Sequence, residues 1–201
     1  MDWTISKVIY WYIQMDKNFI GPEQLLEDAY KLAWKVFNSG FCPTYIIGMW
    51  RGGATLAIAV HELLCFLGVN AKHTPIKISS YDGLTRGDEI TIDGLGPLCE
   101  MITENDSLLV VDDVHDTGHS IEQLLTTIET MLLSSKPEIR VAKAYFKPNR
   151  NETEKEPDYF LHKNNDWLVF PHELEGLSLD ELKIHKPALS KILPEINTRP
   201  L

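Results

Sequence analysis

The sequence predicts an α/β fold, a largely parallel twisted sheet flanked by helices. Apolar runs of strand length alternate with amphipathic helical stretches through the middle of the chain, the pattern of a sheet built by crossovers. Two of these runs, residues 45–49 and 107–111, lead through glycine-containing turns into helical periodicity. A length of 201 residues suits one domain with at most a small appended subdomain, and a chain of that size hides roughly 70% of its unfolded surface.

Each element follows from local chemistry. Residues 22–39 place Leu25, Leu26, Ala29, Leu32, Ala33, Val36 and Phe37 on a helical stripe, opened by Pro22 and closed near Gly40. Residues 45–49 are a short isoleucine-rich run, hence a buried strand. Gly52 and Gly53 then turn the chain, and residues 54–66 continue as a helix. Residues 72–81 alternate as a strand, which Pro75 demotes to a sheet edge because it brings no N–H to the ladder. Residues 82–88 are polar and contain two glycines, so a loop is expected, and residues 89–95 resume a strand. The run 107–111 is a buried strand, 112–118 a polar turn, and 120–133 a helix with Ile121, Leu124, Leu125, Ile128 and Leu132 on its apolar side. Further strands are expected at 140–146 and 167–170, with a charged, exposed connection at 147–157. Residues 175–201 read as a short helix and a proline-punctuated tail.

Composition narrows the function. A net charge of −10 makes the surface repel nucleic acid and anionic membranes, so neither is an expected partner. Any phosphate site must then be made locally, from backbone N–H groups, a few cations and a metal. Cys42, Cys65 and Cys99 are odd in number and form no CxxC pair, which argues against a disulfide framework or a zinc site. Buried thiols in a reducing cytosol are the expectation. The apolar stretch in the first 18 residues is interrupted by Lys7 and by Gln14, Asp16 and Lys17. It is too short to span a bilayer and has no signal-cleavage pattern, so the protein is expected in the cytoplasm. His61, His73, His162 and His185 show no ligand spacing and read as structural or exposed.

The chemistry concentrates in LLVVDDVHDTGHS, residues 108–120. A turn at the carboxyl end of a parallel strand lies on the ligand-binding edge of the sheet. The helix that follows offers free N–H groups and a positive dipole end to a phosphate. Thr117, Gly118, His119 and Ser120 stand where those N–H groups point; Gly118 permits close approach, and Thr117 and Ser120 add hydroxyl donors. Asp112, Asp113 and Asp116 crowd three carboxylates upstream, suited to ribose hydroxyls or to a divalent cation held partly through waters. A DTG triplet also marks aspartic proteases, but in an all-β context without the acidic pair. DDVHD also fits the DDxxD of prenyl-diphosphate enzymes, which sits on a helix of a large all-helical protein. Helix capping by Asp116 or Thr117 accounts for one polar residue and not for three acids.

This segment resembles the PRPP-binding signature of the type I phosphoribosyltransferases: a hydrophobic strand, two acids, a third acid, then Thr-Gly-x-Ser/Thr. YIIGMWRGGATLA, residues 45–57, is similar to the pyrophosphate loop of the 6-oxopurine branch. There Gly52 and Gly53 let backbone N–H groups wrap an anion and Arg51 binds it bidentately. In that family the peptide before the basic residue is often cis, which implies a cis Trp50–Arg51 bond. AKAYFKPNR and the later DWLVFPHE resemble the base-binding segments of the xanthine–guanine and hypoxanthine–guanine enzymes. The resemblance implies that Lys147 meets the exocyclic oxygen of the purine, Trp167 stacks on the ring, and backbone at Leu168 reads its edge. A solvated Lys147 and a core Trp167 are the plain alternatives. His172 stands where related microbial sequences often have tryptophan, and Glu173 is a candidate metal contact beside Asp112 and Asp113. Ser80 and Tyr81, in the polar segment 79–90, resemble the Ser-Tyr pair of some mobile lids.

The resemblance spans approximately residues 20–174. It implies three segments: an N-terminal extension over 1–19, a phosphoribosyltransferase domain with a small hood region over 20–174, and a C-terminal helix and tail over 175–201. It implies transfer of 5-phosphoribosyl from PRPP to a 6-oxopurine with Mg²⁺, Asp116 as general base, and a homodimer or homotetramer. A PRPP-sensing regulator on the same fold, or an enzyme for another base, is the alternative; a PRPP synthase would need an ATP site that the sequence does not show.

Overall fold

The computed structural model describes residues 17–80, 90–132 and 136–192. The chain divides into two compact units, one made of the residues up to Pro22 and those from Asp166 onward, the other of Glu23–Asn165.

The larger unit holds a six-stranded sheet in the order β4-β3-β2-β5-β6-β7. Its strands are β2 (Tyr45–Trp50), β3 (Lys72–Ser80), β4 (Ile90–Asp93), β5 (Ser107–His115), β6 (Glu138–Phe146) and β7 (Tyr159–Lys163). All neighbours run parallel except β4, which is antiparallel to β3 at the edge. The helices are α1 (Pro22–Asn38), α2 (Gly52–Phe66), α3 (Leu95–Met101) and α4 (His119–Leu132). Strand alternation divides the core. Tyr45, Ile47, Leu108 and Val110 join Leu95 and Leu98 of α3 and Ile121, Leu124 and Ile128 of α4 in one cluster. Ile46, Leu109 and Val111 point the other way and are equally buried. Gly48 brings α2 close on that second face, because a Cβ there would fall 2.9 Å from Ala57 Cβ.

Several expectations are corrected. β3 is not an edge strand: it pairs with β2 through Gly48↔Pro75 and with β4 through Lys77–Ser80. Pro75 is tolerated because it precedes the β3–β4 ladder. Its carbonyl faces Gly94, and the missing N–H falls on that same side. Gly94, at φ 91, starts α3, a helix that the sequence reading passed over as the end of a strand. β7 was also unforeseen. Cys42 and Cys65 are exposed, contrary to the expected burial, while Cys99 is half-buried and packs against the core. α1 buries Leu25, Ala29, Leu32, Ala33 and Val36 as its stripe requires, and also Asp28. That carboxylate faces His162 Nε2 at 3.0 Å and accepts from the Tyr145 hydroxyl at 3.4 Å, tying α1 to β6 and β7.

In the smaller unit β1 (Lys17–Phe19) pairs parallel with β8 (Trp167–Val169), followed by α5 (Leu179–His185) and α6 (Pro187–Ile192). Ser178 caps α5 in a reciprocal box with Glu181, whose Oε1 also meets Lys17 Nζ at 2.9 Å. The Lys17 ammonium and the Ser178 N–H hold the Glu181 carboxyl down at about 2. A depressed carboxyl stabilises the fold above its ordinary value of 4.5 and loses that contribution as pH falls toward 2. Glu181→Gln is therefore expected to cost about 1–2 kcal/mol at neutral pH. The gap from wild type should close as urea titrations move from pH 5 down to pH 2; a gap independent of pH contradicts the assignment. No helix among the described residues is long and apolar enough to cross a membrane.

Candidate active site

β2 and β5 are adjacent and parallel, with Tyr45↔Leu108 and Gly48↔Val111 in register, so their carboxyl ends emerge side by side. α2 and α4 start at those same ends, which brings two helix N-termini to one edge of the sheet. The Trp50–Arg51 peptide is cis, as the resemblance implied. Arg51 is exposed and precedes α2, while Gly52 and Gly53 lie against the acidic strand. A Cβ on Gly52 would fall 1.7 Å from Asp113 Oδ2; one on Gly53 would fall 2.5 Å from Val111 O and 2.6 Å from Asp112 Cα. Two motifs about sixty residues apart in sequence thus form one surface, and only glycine fits the contact.

β5 runs further than expected. Asp112, Val114 and His115 continue the ladder with Lys143, Tyr145 and Phe146, so the first two acids are strand residues and the turn begins at Asp116. Asp113 is buried, and its Oδ1 accepts the Val114 N–H at 2.7 Å. Asp112 Oδ1 accepts the Asp113 N–H at 3.0 Å, and Oδ2 receives Lys143 Nζ at 2.5 Å. Burial pushes the Asp112 carboxyl up to about 6, with Asp113 adding to the rise and the Lys143 ammonium opposing it. His115 is buried too, and burial, then Lys143, lowers its pKa and favours the neutral ring.

Asp116 is held from both sides, by Lys147 Nζ at 3.3 Å on Oδ2 and by Arg150 Nε at 2.7 Å on Oδ1. Lys147 is buried rather than solvated, and its N–H donates to His115 O at 2.9 Å. The segment 147–157 is the largely exposed connection expected, and part of it also braces the acidic turn. Glu152 N donates to Thr117 O at 3.0 Å, and Glu152 Oε2 meets His119 Nε2 at 2.8 Å. Gly118, at φ 90, leaves room for Thr153 Oγ1 and Asn151 Oδ1, which a Cβ would meet at 2.4 and 2.9 Å. Thr117 is half-buried, and His119 and Ser120 at the start of α4 are exposed.

The remaining sequence-predicted residues are carried by other elements. Ser80 ends β3, and Tyr81 lies outside the described residues. Trp167, Leu168 and Glu173 belong to the smaller unit, where Leu168 is buried and Glu173 Oε2 accepts the Phe170 N–H at 2.9 Å. Lys143 and Arg150 were missed by the sequence reading. Arg150 had a signal, three residues beyond Lys147 in the same basic segment; Lys143 had none that is local.

The phosphoribosyl transferase domain family matches residues 21–178. The chain superposes on purine phosphoribosyltransferase from Pyrococcus horikoshii with a TM-score of 0.63 and 27% identity, covering 82% of this chain and 99% of that one. The xanthine-guanine-hypoxanthine phosphoribosyltransferase of Helicobacter pylori has the same fold, with a TM-score of 0.63, 24% identity and coverage of 85% and 100%. So has a hypothetical protein from Neisseria gonorrhoeae with bound ppGpp, at a TM-score of 0.65, 22% identity and coverage of 87% and 98%. The parallel sheet, the paired motifs at its carboxyl edge and this match over most of the chain lead to one conclusion: the chain belongs to the phosphoribosyl transferase family and is a phosphoribosyltransferase.

Proposed function

We propose that the protein transfers the 5-phosphoribosyl group of PRPP to a ring nitrogen of a 6-oxopurine (hypoxanthine, guanine or xanthine), releasing pyrophosphate. The observation that carries this reading is the contact of Gly52 and Gly53 with Asp113 and Asp112, which sets the glycine turn against the pair of acids. In this reading α4's N-terminus, with Thr117, Gly118, His119 and Ser120, receives the 5-phosphate. Asp112 and Asp113 accept hydrogen bonds from the ribose hydroxyls. Arg51 and the N–H groups near Gly52 and Gly53 take the pyrophosphate.

The C1–oxygen bond to pyrophosphate breaks with its electron pair leaving on the pyrophosphate, and C1 gains oxocarbenium character. The base nitrogen forms the new bond to C1, and the ring proton passes to Asp116. Lys147, already seated on Asp116, donates to the 6-oxo group; an ammonium donates and cannot accept, so it favours an oxo group over an amino group. On the resemblance, Trp167 stacks on the ring, Leu168 backbone reads its edge, and Ser80 and Tyr81 belong to a lid.

The donor set fits Mg²⁺ carried largely by the substrate. Asp112 and Asp113 are hard oxygen donors, and no group of three or more metal-ligating side chains occurs among the described residues. Mg²⁺ ordinarily uses one or two carboxylates with waters and phosphates. When bound it neutralises charge on the pyrophosphate. Glu173 is a further candidate ligand on the resemblance alone. A homodimer or homotetramer is also proposed; the exposed Ile58 and Phe66 of α2 support an oligomer.

The test is a panel of hypoxanthine, guanine, xanthine, adenine and uracil with PRPP and Mg²⁺, following pyrophosphate release. Turnover with one or more 6-oxopurines and little with adenine or uracil is expected. PRPP binding without turnover of any base would replace the enzyme by a PRPP-sensing regulator.

A further inference from the structure

β6 carries a lysine where a core strand ordinarily carries an apolar residue. Lys143 lies between Ala142 and Ala144 and is only 2% exposed. A buried ammonium is costly unless it is paired and hydrogen-bonded. Lys143 has both kinds of partner, Asp112 Oδ2 at 2.5 Å and Val114 O at 3.1 Å. The pairing follows from register, since Asp112 and Lys143 oppose each other in the parallel ladder. Four residues on, Asp116 and Lys147 repeat it at the strand ends. The outer pair belongs to the reaction proposed above; the inner pair has no role there beyond that of Asp112.

Two facts separate Lys143 from a substrate contact. Its side chain is 2% exposed, whereas that of Asp112 is 19% exposed, so only the acid reaches solvent. Both oxygens of Asp112 are engaged on the protein side, Oδ1 by the Asp113 N–H and Oδ2 by Lys143. The carboxylate therefore has one orientation before any ligand arrives.

We propose that Lys143 is a positioning residue of the sugar-phosphate site, fixing the Asp112 carboxylate in the orientation that receives the ribose diol. The proposal rests on Asp112 being a ribose ligand. A carboxylate held in place loses no rotamer freedom on binding, which is the gain from pre-organisation. Toward the ribose Lys143 acts through Asp112, so in PRPP binding its loss and the loss of Asp112 are one loss seen twice.

The experiment is a double-mutant cycle on Lys143→Met and Asp112→Asn, with PRPP affinity in Mg²⁺ measured by calorimetry and melting temperature measured on every variant. Each single variant is expected to bind PRPP about tenfold or more weakly, a difference of about 1.4 kcal/mol. The double variant should be no weaker than Asp112→Asn alone. Its melting temperature should recover, because the buried charge and its partner are removed together, while PRPP binding stays weak. If Lys143→Met does not fold, Lys143→Gln keeps a donor without the charge, and the same loss is expected. Wild-type affinity in a folded Lys143 variant, with Asp112→Asn impaired, overturns the positioning role and leaves the ribose reading standing. Wild-type affinity in Asp112→Asn overturns both.

Discussion

Asp116→Asn is expected to lower turnover with any accepted purine by about 10²–10⁴, the usual worth of a positioned general base. The amide keeps the shape of the side chain and removes its ability to take a proton. Binding of PRPP should change far less, because the helix N-terminus and the ribose acids are untouched. The substitution also has a structural cost. Lys147 is buried and Arg150 lies at 2.7 Å from the carboxylate, so a neutral amide leaves two cations short of a counter-charge. A stability loss of about 1–3 kcal/mol is expected. Turnover is therefore measured well below the variant's melting temperature, with initial rates for hypoxanthine, guanine and xanthine. Undiminished turnover removes Asp116 as the base.

Gly53→Ala is expected to destabilise the larger unit strongly. Its Cβ would meet the carbonyl oxygen of Val111 and the Cα of Asp112, backbone atoms of a central strand that cannot swing aside. Overpacking of that kind costs about 1–3 kcal/mol, or roughly 2–4 °C of melting temperature per kcal/mol in a chain of this size. Gly52→Ala makes an instructive contrast. There the nearest atoms are all in the Asp113 carboxyl group, which a side-chain rotation can displace. It should cost less stability than Gly53→Ala while still weakening PRPP binding, because Asp113 is moved. A wild-type melting temperature for Gly53→Ala contradicts the close approach of α2 to β5.

What the sequence made legible was local. Residues 45–66 and 107–132 each combine an apolar run, a glycine and a helical stripe, and each became a strand, a turn and a helix. Both turns emerged at one sheet edge because β2 and β5 are neighbours, an arrangement that the parallel fold class favours but that no short segment encodes. The unforeseen features depend on distant partners. β7 is built from the ordinary-looking YFLHK, whose Tyr159 accepts from Arg140 and whose Phe160 carbonyl accepts from Lys35. Residues 147–157 look like a solvated connection because they are charged, and only folding shows that Glu152 N meets Thr117 O. Lys143 gave no sign of burial, since its partner is set by the register of β5 on β6 and not by spacing along either strand. Pro75 misled for a related reason: whether it ends a ladder depends on which side its missing N–H faces. Cys65 misled because α2 is apolar also on an exposed face, where Cys65 stands beside the exposed Phe66.

The central claim is that the glycine turn after β2 and the acidic turn after β5 form a single PRPP site. Calorimetric titration of PRPP in Mg²⁺ into wild-type protein, Arg51→Gln and Asp113→Asn tests it most directly. One PRPP per chain is expected for wild type, with affinity reduced about tenfold or more by either substitution, since each removes a charge-assisted contact. Absence of PRPP binding in the wild type, or binding that neither substitution weakens, would contradict it.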